Sequence, residues 1–469
     1  METSRPRLLL AAGLAFVPAL AGCNRSTSES PGERPPFPQV QYLGGGLLTA
    51  PKVVTITFPG DSMTAELQAF GRSAASSAWW NTIRTGYCET PGNGACVGDG
   101  PPGTSVVLTE PPAANYTDSE TGGPATLQTW LGSAISDGTL PKPDDNPITN
   151  TIYTVYFPAT TTITFDGVQS CANTGFDGYH NSMTMGSQQI VYAVIDECAP
   201  LSPADTLLQA TTVTASHEII ESSSDPSSLL YPASLSYAYY LNYMDPSTWG
   251  WIDIEGGEIA DMCVDPFGLD QDQTTDGTFS VQRIWSNAQA AAGLDPCNPI
   301  PSGETYFNAA PKETVFIVAV GAQTTFEVDA FSVGPMAPWT LLAQDWSAST
   351  ASYLSFSIAG GTQSSQGPQI SVNNGSTVQV TVTLLQDPGS LDTGEADGAI
   401  VSMSGDLSNP TAAHYWPFIV LSPADAGDAG ITASGTARHR AGHFHRSQAR
   451  PALRAGPYWK GWAGMPAWK

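Results

Sequence analysis

The sequence predicts an α+β domain followed by an all-β domain of the β-sandwich type. Two observations lead to this fold class. Before about residue 300, apolar residues recur at helical spacing in some segments and form short β-branched runs in others. After Pro301, short alternating runs are separated by clusters of Gly, Pro, Asn and Ser. The expected boundaries are 41–300 for the α+β domain and 301–424 for the all-β domain.

The first 22 residues are typical of a cleavable signal peptide. Two arginines precede an apolar run at Leu8–Leu20, which is too short and too early for a membrane-spanning helix. The run ends in LAGC, a lipobox with small residues beside Cys23. We therefore expect a lipid on Cys23 and an extracellular location in the cell envelope. Asn24 takes the place of the aspartate that retains lipoproteins at the inner membrane, which favours the outer membrane or cell surface.

Residues 23–40 are rich in Ser, Pro, Gly and Glu and are expected to form a flexible tether. The elements expected in the α+β domain then follow in chain order: a strand at Val53–Phe58, a helix over Met63–Trp80 capped by Asp61, a helix from Leu127 to a stop at Gly138, and strands at Ile152–Phe157 and Ile190–Ile195.

Alternating runs predict five strands of an immunoglobulin-like β-sandwich. They are Thr314–Val320, Thr325–Phe331, Tyr353–Ile358, Thr377–Leu384 and His414–Leu421. Residues 425–469 turn rich in Ala and Gly and then basic, and are expected to be a disordered tail. A surface tether and an incorrect end of the reading frame both account for this change in composition.

The cysteine count agrees with export. Of seven cysteines, one is assigned to the lipid, which leaves six that can pair in an oxidising compartment. The candidates are Cys88, Cys96, Cys171, Cys198, Cys263 and Cys297. Their connectivity stays open, and no paired CxxC spacing points to a thiolate zinc site.

The charge distribution excludes nucleic acid as a partner. The formal net charge is −26, and lysine and arginine are scarce between the tether and the tail. Such a surface repels phosphate backbones. The charge is also consistent with simple solubility outside the cell.

The most specific local pattern is SHEIIESSSDP at Ser216–Pro226. On the predicted helix, His217 and Glu221 lie one turn apart and can converge on one metal ion. Glu218 is placed to take a proton from an attacking water. The arrangement is HExxE, so a carboxylate replaces the second imidazole of the HExxH motif. The alternative is a helix with a surface histidine between solvated glutamates.

A second acidic pair follows in GWIDIEGGEIADMC. Glu258 and Asp261 are three positions apart and can share a helical face. A downstream acidic pair can supply a further zinc ligand, with one carboxylate binding and the other orienting. Which of the two would bind is left open.

These segments, taken in order, resemble the Exordium or phosphate-induced protein family and its bacterial relatives. The matching pieces are VVTITF, AWWNTI, TIYTVYF, SCANTGFDGYHNS, ASHEIIESSSDP and GEIADMC, from Gly44 to Cys263. The last two are the most specific. The resemblance implies a secreted protein whose α+β domain is zincin-like, but the family implies no established reaction.

His180 matches a histidine of that family and is expected in a loop after Cys171. It is a candidate further zinc ligand, and a local hydrogen bond is the alternative. Asp225, which precedes a proline, is expected to end the helix, with metal ligation as the alternative.

Two functions remain open. The first is an envelope lipoprotein with a Zn²⁺-dependent, peptidase-like hydrolase site. Its ligands are His217, Glu221 and Glu258 or Asp261, and its base is Glu218. The second is a non-catalytic surface binding or adhesion protein in which the same residues hold a structural ion or none. In that case, the β-sandwich recognises a peptide or a cell-surface polymer.

Overall fold

The computed structural model describes residues 35–90, 93–119, 123–172, 175–226, 237–347, 351–391, 394–428 and 452–453. The expected signal peptide, Cys23, most of the expected tether and nearly all of the basic tail lie outside these ranges. All the described residues belong to one compact unit. Within them, no helix is both long and apolar enough to cross a membrane.

Strands dominate the described residues. Those in the first part of the chain are β1 (Val40–Tyr42), β2 (Lys52–Thr57), β3 (Cys88–Thr90), β4 (Asn93–Cys96), β5 (Thr104–Val107), β6 (Asn115–Asp118), β7 (Ile148–Pro158), β8 (Thr162–Phe165), β9 (Val168–Gln169), β10 (Phe176–Met185), β11 (Gln188–Glu197), β12 (Tyr239–Leu241), β13 (Gln273–Asp276), β14 (Phe279–Gln282), β15 (Ile284–Trp285) and β16 (Cys297–Asn298). Those that follow are β17 (Phe307–Pro311), β18 (Val315–Ile317), β19 (Gln323–Ser332), β20 (Trp339–Asp345), β21 (Leu354–Ile358), β22 (Thr362–Ser364), β23 (Gly367–Val372), β24 (Thr377–Leu384), β25 (Ala396–Asp406), β26 (Asn409–Leu421) and β27 (Ala452–Leu453).

Helices are fewer and mostly short. The α-helices are α1 (Thr64–Ser73), α2 (Ala78–Ile83), α3 (Thr126–Ser136), α4 (Leu207–Ser224), α5 (Trp249–Glu255), α6 (Asn287–Ala292) and α7 (Pro423–Asp428). Single 3₁₀ turns lie at Ala74–Ser76, Pro246–Thr248, Asp261–Cys263 and Pro388–Ser390.

The predicted fold class is wrong. We expected an α+β zincin-like domain followed by a separate all-β domain, whereas the described chain is mostly β throughout and contains several sheets. Apolar residues do recur at helical spacing, but the helices that they form are short. The single helix expected over Met63–Trp80 breaks into α1, a 3₁₀ turn and α2. Between the helices lie many small strand pairs that hydrophobic periodicity does not reveal.

The sheet that positions the site has the strand order β27-β10-β11-β7-β2-β5. Strands β11, β7, β2 and β5 pair in parallel, and β10 pairs antiparallel with β11. Neighbouring residues alternate between two cores, so that Ile152 faces one core and Tyr153 the other. Helices α1 and α4 pack on the first face, and α3 contributes to the core on the second. Burial on both faces is typical of parallel strands.

Two further sheets, which we call the sandwich sheets, pack against each other after residue 306. Their strand orders are β17-β19-β24-β21 and β18-β26-β25-β20-β23-β22. A separate apolar core lies between them and includes Phe326, Leu341 and Phe418. Alternation of buried and exposed residues along β24 matches a strand with one face in that core.

A single large core joins the two regions. Phe37 stacks on Trp416 of β26 with ring centroids 5.1 Å apart, and Trp251 of α5 meets the same ring edge-on at 5.6 Å. These residues share one cluster with Val53 of β2 and Ile219 of α4. The region that carries α4 therefore does not bury its apolar surface alone.

The prediction that six cysteines pair is confirmed. The disulfides are Cys88–Cys96, Cys171–Cys198 and Cys263–Cys297. The last of these ties the 3₁₀ turn that begins at Asp261 to strand β16.

A buried histidine and carboxylate cluster

Helix α4 carries the HExxE pattern and is fixed at both ends. Thr206 and Gln209 form a capping box at its start, and the backbone N–H of Asp225 closes its last turn on the carbonyl of Glu221. The helix ends at Ser224, so the prediction that Asp225 ends it is confirmed. His217, Glu218 and Glu221 are all buried, which excludes the alternative of a solvated surface histidine.

Strand β10 brings His180 to this helix. Gly178 makes the approach possible, because a Cβ atom there would lie 2.6 Å from the Thr214 methyl group and 3.3 Å from Cγ of Glu218. His180 pairs with Ala193 of β11, so the expectation that it lies in a loop is wrong.

The downstream acidic pair lies on an irregular turn after α5. Gly256 has φ +113°, and a Cβ there would lie 2.2 Å from Oδ2 of Asp261. Only glycine fits this close approach at a left-handed backbone position. Glu258 precedes the 3₁₀ turn that begins at Asp261, so the pair sits on a tight turn and not on one helical face.

These elements assemble what we call the Glu221 cluster. Its members are each only 1–3% exposed. They are His180, His217, Glu218, Glu221, Asp225, Glu258 and Asp261.

Glu221 is the centre of the cluster. Its Oε1 accepts hydrogen bonds from the backbone N–H groups of Ala260 at 2.9 Å and Asp261 at 3.1 Å. Its Oε2 lies 2.9 Å from Nε2 of His217 and 3.7 Å from Nδ1 of His180. One carboxylate thus fixes the acidic turn and faces both imidazoles.

The downstream acids divide between the two histidines. Asp261 Oδ1 lies 3.5 Å from Nε2 of His217, whereas Glu258 Oε1 lies 3.8 Å from Nε2 of His180. Glu218 Oε2 is 3.4 Å from Nδ1 of His180. Each candidate ligand named from the sequence therefore lies in this one cluster.

Each imidazole is anchored through the nitrogen that faces away from Glu221. His180 Nε2 contacts the carbonyl oxygen of Asp225 at 3.0 Å, and His217 Nδ1 contacts Oε1 of Gln282 at 2.8 Å. Gln282 also donates to the carbonyl of Ala260 at 2.7 Å. Sequence reasoning missed Gln282, because a glutamine at the end of a short strand carries no local pattern.

The histidines are strongly basic in this setting. Burial lowers the pKa of His180, but its hydrogen bond with Glu218 and the charge of Glu221 outweigh burial and raise it to about 9. Burial also acts to lower the pKa of His217, and the charges of Glu221 and Glu218 raise it well above its ordinary value. The acids around both rings thus favour the cationic form of each imidazole.

The pKa values of four of the carboxylates are shifted, one downward and three upward. Burial acts to raise the pKa of Glu221, but the charge of His217 and the hydrogen bond with it bring that pKa below its ordinary value. Burial raises the pKa of Asp225 to about 8 and, together with the charge of Glu221, that of Asp261 to about 7. Burial and the charges of Glu221 and Asp225 hold the pKa of Glu258 well above its ordinary value.

Two groups of three buried side chains present ligand atoms that all lie within 4.8 Å of one another. One consists of His180, Glu221 and Glu258, and the other of His217, Glu218 and Glu221. Imidazole nitrogen and carboxylate oxygen are ligands that Zn²⁺ takes in proteins. Within the described ranges, no lysine or arginine forms an ion pair with these acids.

No protein-family model matches the sequence, and no curated protein matches it. Among solved structures, similarity is found to a conjugative transposon lipoprotein from Bacteroides eggerthii, with 12% identity, a TM-score of 0.17, and 24% of this chain and 95% of that chain covered. A lipoprotein from Bacteroides thetaiotaomicron has 9% identity, a TM-score of 0.19 and coverage of 28% and 92%. Domain 1 of VCBP3 from Branchiostoma floridae has 6% identity, a TM-score of 0.18 and coverage of 26% and 98%. Similarities this weak support no argument about fold or function.

Proposed function

We propose that this protein is a lipid-anchored envelope protein with a zinc-dependent, peptidase-like hydrolase site in the Glu221 cluster. The observation that carries the proposal is the convergence of two imidazoles on Oε2 of Glu221, at 2.9 and 3.7 Å. Each ring is held by a carbonyl oxygen at its other nitrogen. That arrangement is the usual one for histidines that bind metal, because the outer hydrogen bond fixes the ring and its tautomer.

The residues present fit a divalent cation. Oε1 of Glu218 and Oε1 of Glu258 are buried without a hydrogen-bond partner. A buried carboxylate oxygen left unpaired costs free energy, and a cation beside it removes that cost. The mixed nitrogen and oxygen donors favour zinc over calcium or magnesium, which prefer oxygen alone.

We assign His217, Glu221 and Asp261 as ligands of this ion. Asp261 is preferred over Glu258 because its Oδ1 lies 3.5 Å from Nε2 of His217, whereas Glu258 lies beside His180. When bound, Zn²⁺ supplies a Lewis acid that polarises a carbonyl and makes water more acidic. The ligand set carries more negative charge than three imidazoles would, so this Lewis acidity is expected to be modest.

Glu218 is the residue to which we assign proton transfer. It neighbours His217 on α4, and its Oε1 has no hydrogen-bond partner and is free to accept a proton. In the proposed reaction it takes a proton from the water that attacks a peptide carbonyl and then passes it to the leaving amine. Asp261 can fill the remaining ligand position, which leaves Glu218 available as the base.

The lipid anchor rests on the sequence. The lipobox at 20–23 places a cysteine directly after two small residues, and the following polar segment suits a tether. An outer-membrane or cell-surface location follows from the residue after Cys23. The three disulfides agree with an oxidising compartment.

A structural ion is the second candidate, and burial of the cluster favours it. Every member is at most 3% exposed, so the cluster presents almost no surface to a peptide. In that case, the protein is a surface binding or adhesion protein, and the sandwich sheets contact a peptide or cell-surface polymer.

The experiment compares the purified full-length protein with His217→Ala and Glu218→Gln. Bound zinc is measured by mass spectrometry, and hydrolysis is measured on a peptide library. For an enzyme, we expect Glu218→Gln to retain zinc and to lose at least about a hundredfold in rate, and His217→Ala to lose both. Zinc without hydrolysis in the parent would establish the structural ion. A parent without zinc would exclude both.

A further inference from the structure

The ligand atoms of the Glu221 cluster fall into two groups of three that share one carboxylate, Glu221. His217 and Glu218 belong to one group, and Oδ1 of Asp261 lies 3.5 Å from Nε2 of His217. His180 and Glu258 belong to the other group. Because the two imidazoles fall in different groups, we assign them to different ions.

The charge of the cluster points to more than one cation. Five carboxylates are buried here, and no lysine or arginine of the described residues forms an ion pair with them. Any of these acids that is ionised needs a cation beside it, because an unpaired buried charge is costly. The first ion is bound by only two of them, Glu221 and Asp261.

The His180 side also contains a ligand atom without a partner. Oε1 of Glu258 is fully buried and has no hydrogen-bond partner. Nδ1 of His180 lies 3.7 Å from Oε2 of Glu221, while its Nε2 contacts the carbonyl of Asp225 and lies 3.8 Å from Oε1 of Glu258. The ring is thus anchored in the same way as His217, although the first ion does not use it.

We propose that the cluster binds two divalent cations that share Glu221 as a ligand. His217 and Asp261 complete the first site, and His180 and Glu258 complete the second. This inference rests on the proposed zinc site and adds a second ion to it. Paired metal sites of this kind are typical of hydrolases in which both the attacking and the leaving groups need charge stabilisation.

The test is the zinc stoichiometry of the full-length protein, measured by mass spectrometry and by titration with Zn²⁺ alone. All variants carry alanine at the three tail histidines, His439, His443 and His445, so that these do not add to the count. We expect two equivalents in this background. Both His180→Ala and the nearly isosteric Glu258→Gln should lower the count to one.

Asp118→Asn is the matched control, because Asp118 is equally buried and lies outside the cluster, bonded to Tyr179 and Tyr192. It should leave two equivalents bound, and near-ultraviolet circular dichroism checks that each variant is folded. One equivalent in the parent, unchanged in His180→Ala and Glu258→Gln, would overturn the second site and leave the hydrolase proposal intact. No zinc in the parent would overturn both. Two equivalents without hydrolysis would support the second site and count against the enzyme.

Discussion

At the scale of single residues, the contacts of individual side chains stabilise the buried acids of the Glu221 cluster. Glu221 satisfies one oxygen with two backbone N–H groups and presents the other to the imidazoles. Burial acts to raise the pKa of Glu221, but the charge of His217 and the hydrogen bond with it lower that pKa, whereas the pKa values of Asp225, Glu258 and Asp261 are raised. Of these four acids, Glu221 is therefore the one whose charged form its surroundings favour.

Gln282 contributes to the cluster without being a ligand. Its Oε1 accepts from Nδ1 of His217 at 2.8 Å, and its amide donates to Ala260 at 2.7 Å. We expect Gln282→Met, which keeps the length of the side chain but loses both hydrogen bonds, to weaken zinc binding about ten- to a hundredfold. Competition with a chelator of known affinity measures the change.

Gln344→Met is the control for this variant. Gln344 is also buried and forms hydrogen bonds with Gln366 and Trp346 in the sandwich region. The Gln344→Met variant loses these bonds. It should destabilise the fold without changing zinc affinity. Equal affinities in the Gln282 variant and the parent would show that His217 holds its orientation without Gln282.

At the scale of elements, the acidic turn is held by the Cys263–Cys297 disulfide. This bond spans 34 residues, whereas Cys88–Cys96 spans 8. Loop-closure entropy predicts that removing the first costs about 4 kcal/mol of unfolding free energy, and removing the second about 2.5 kcal/mol. Because Asp261 begins the anchored turn, we expect the Cys263→Ser/Cys297→Ser variant also to bind zinc more weakly. Denaturant unfolding and chelator competition measure the two effects.

The Cys88→Ser/Cys96→Ser variant separates the turn from general instability. Its disulfide closes the β3–β4 hairpin, which contributes no member of the Glu221 cluster. It should therefore lose stability while retaining the parent's zinc affinity. Weaker zinc binding in this variant as well would mean that affinity follows global stability and not the anchoring of the turn.

Individual elements were predictable where a local signal existed. The strand expected at Val53–Phe58 is β2 at Lys52–Thr57, and the helix expected from Leu127 to a stop at Gly138 is α3 at Thr126–Ser136. The prediction that Asp61 caps the first helix is wrong: α1 has Met63 at its N-cap without a side-chain cap bond, and Asp61 accepts from the N–H of Met63 and the hydroxyl of Thr64 just before the helix. The HExxE spacing puts His217 and Glu221 one turn apart on the same face of α4, where their side chains meet at 2.9 Å.

The remaining site geometry depends on contacts between distant parts of the chain. His180 approaches Glu218 only because Gly178 lets β10 lie close to α4. Gln282 reaches His217 from 65 positions away. Neither contact produces a periodic pattern in the sequence. The placement of His180 on β10 and the hydrogen bond between His217 and Gln282 were therefore not predictable from residue spacing.

At the scale of the whole molecule, the region around α4 and the sandwich sheets share one aromatic core. Trp285 and Trp251 from the first region pack with Trp416 from β26, with Trp251 and Trp285 centroids 6.0 Å apart. We placed the expected boundary near residue 300 because the pattern of apolar and polar residues changes there. Such a pattern indicates secondary structure, but it does not indicate which surfaces are buried together. Two regions that bury residues in one core are expected to unfold together.

The last prediction tests this coupling. Leu384 lies in the sandwich core and outside the shared aromatic cluster, so Leu384→Ala should remove about 3 kcal/mol from sandwich packing alone. If the molecule unfolds as one unit, the denaturant midpoints of α4 and β19, followed by hydrogen exchange, should fall together and by the same amount. Ser355→Ala, at an exposed position on neighbouring β21, should move neither. A midpoint for β19 that falls while that of α4 stays fixed would show that the shared core does not couple the sandwich to the Glu221 cluster.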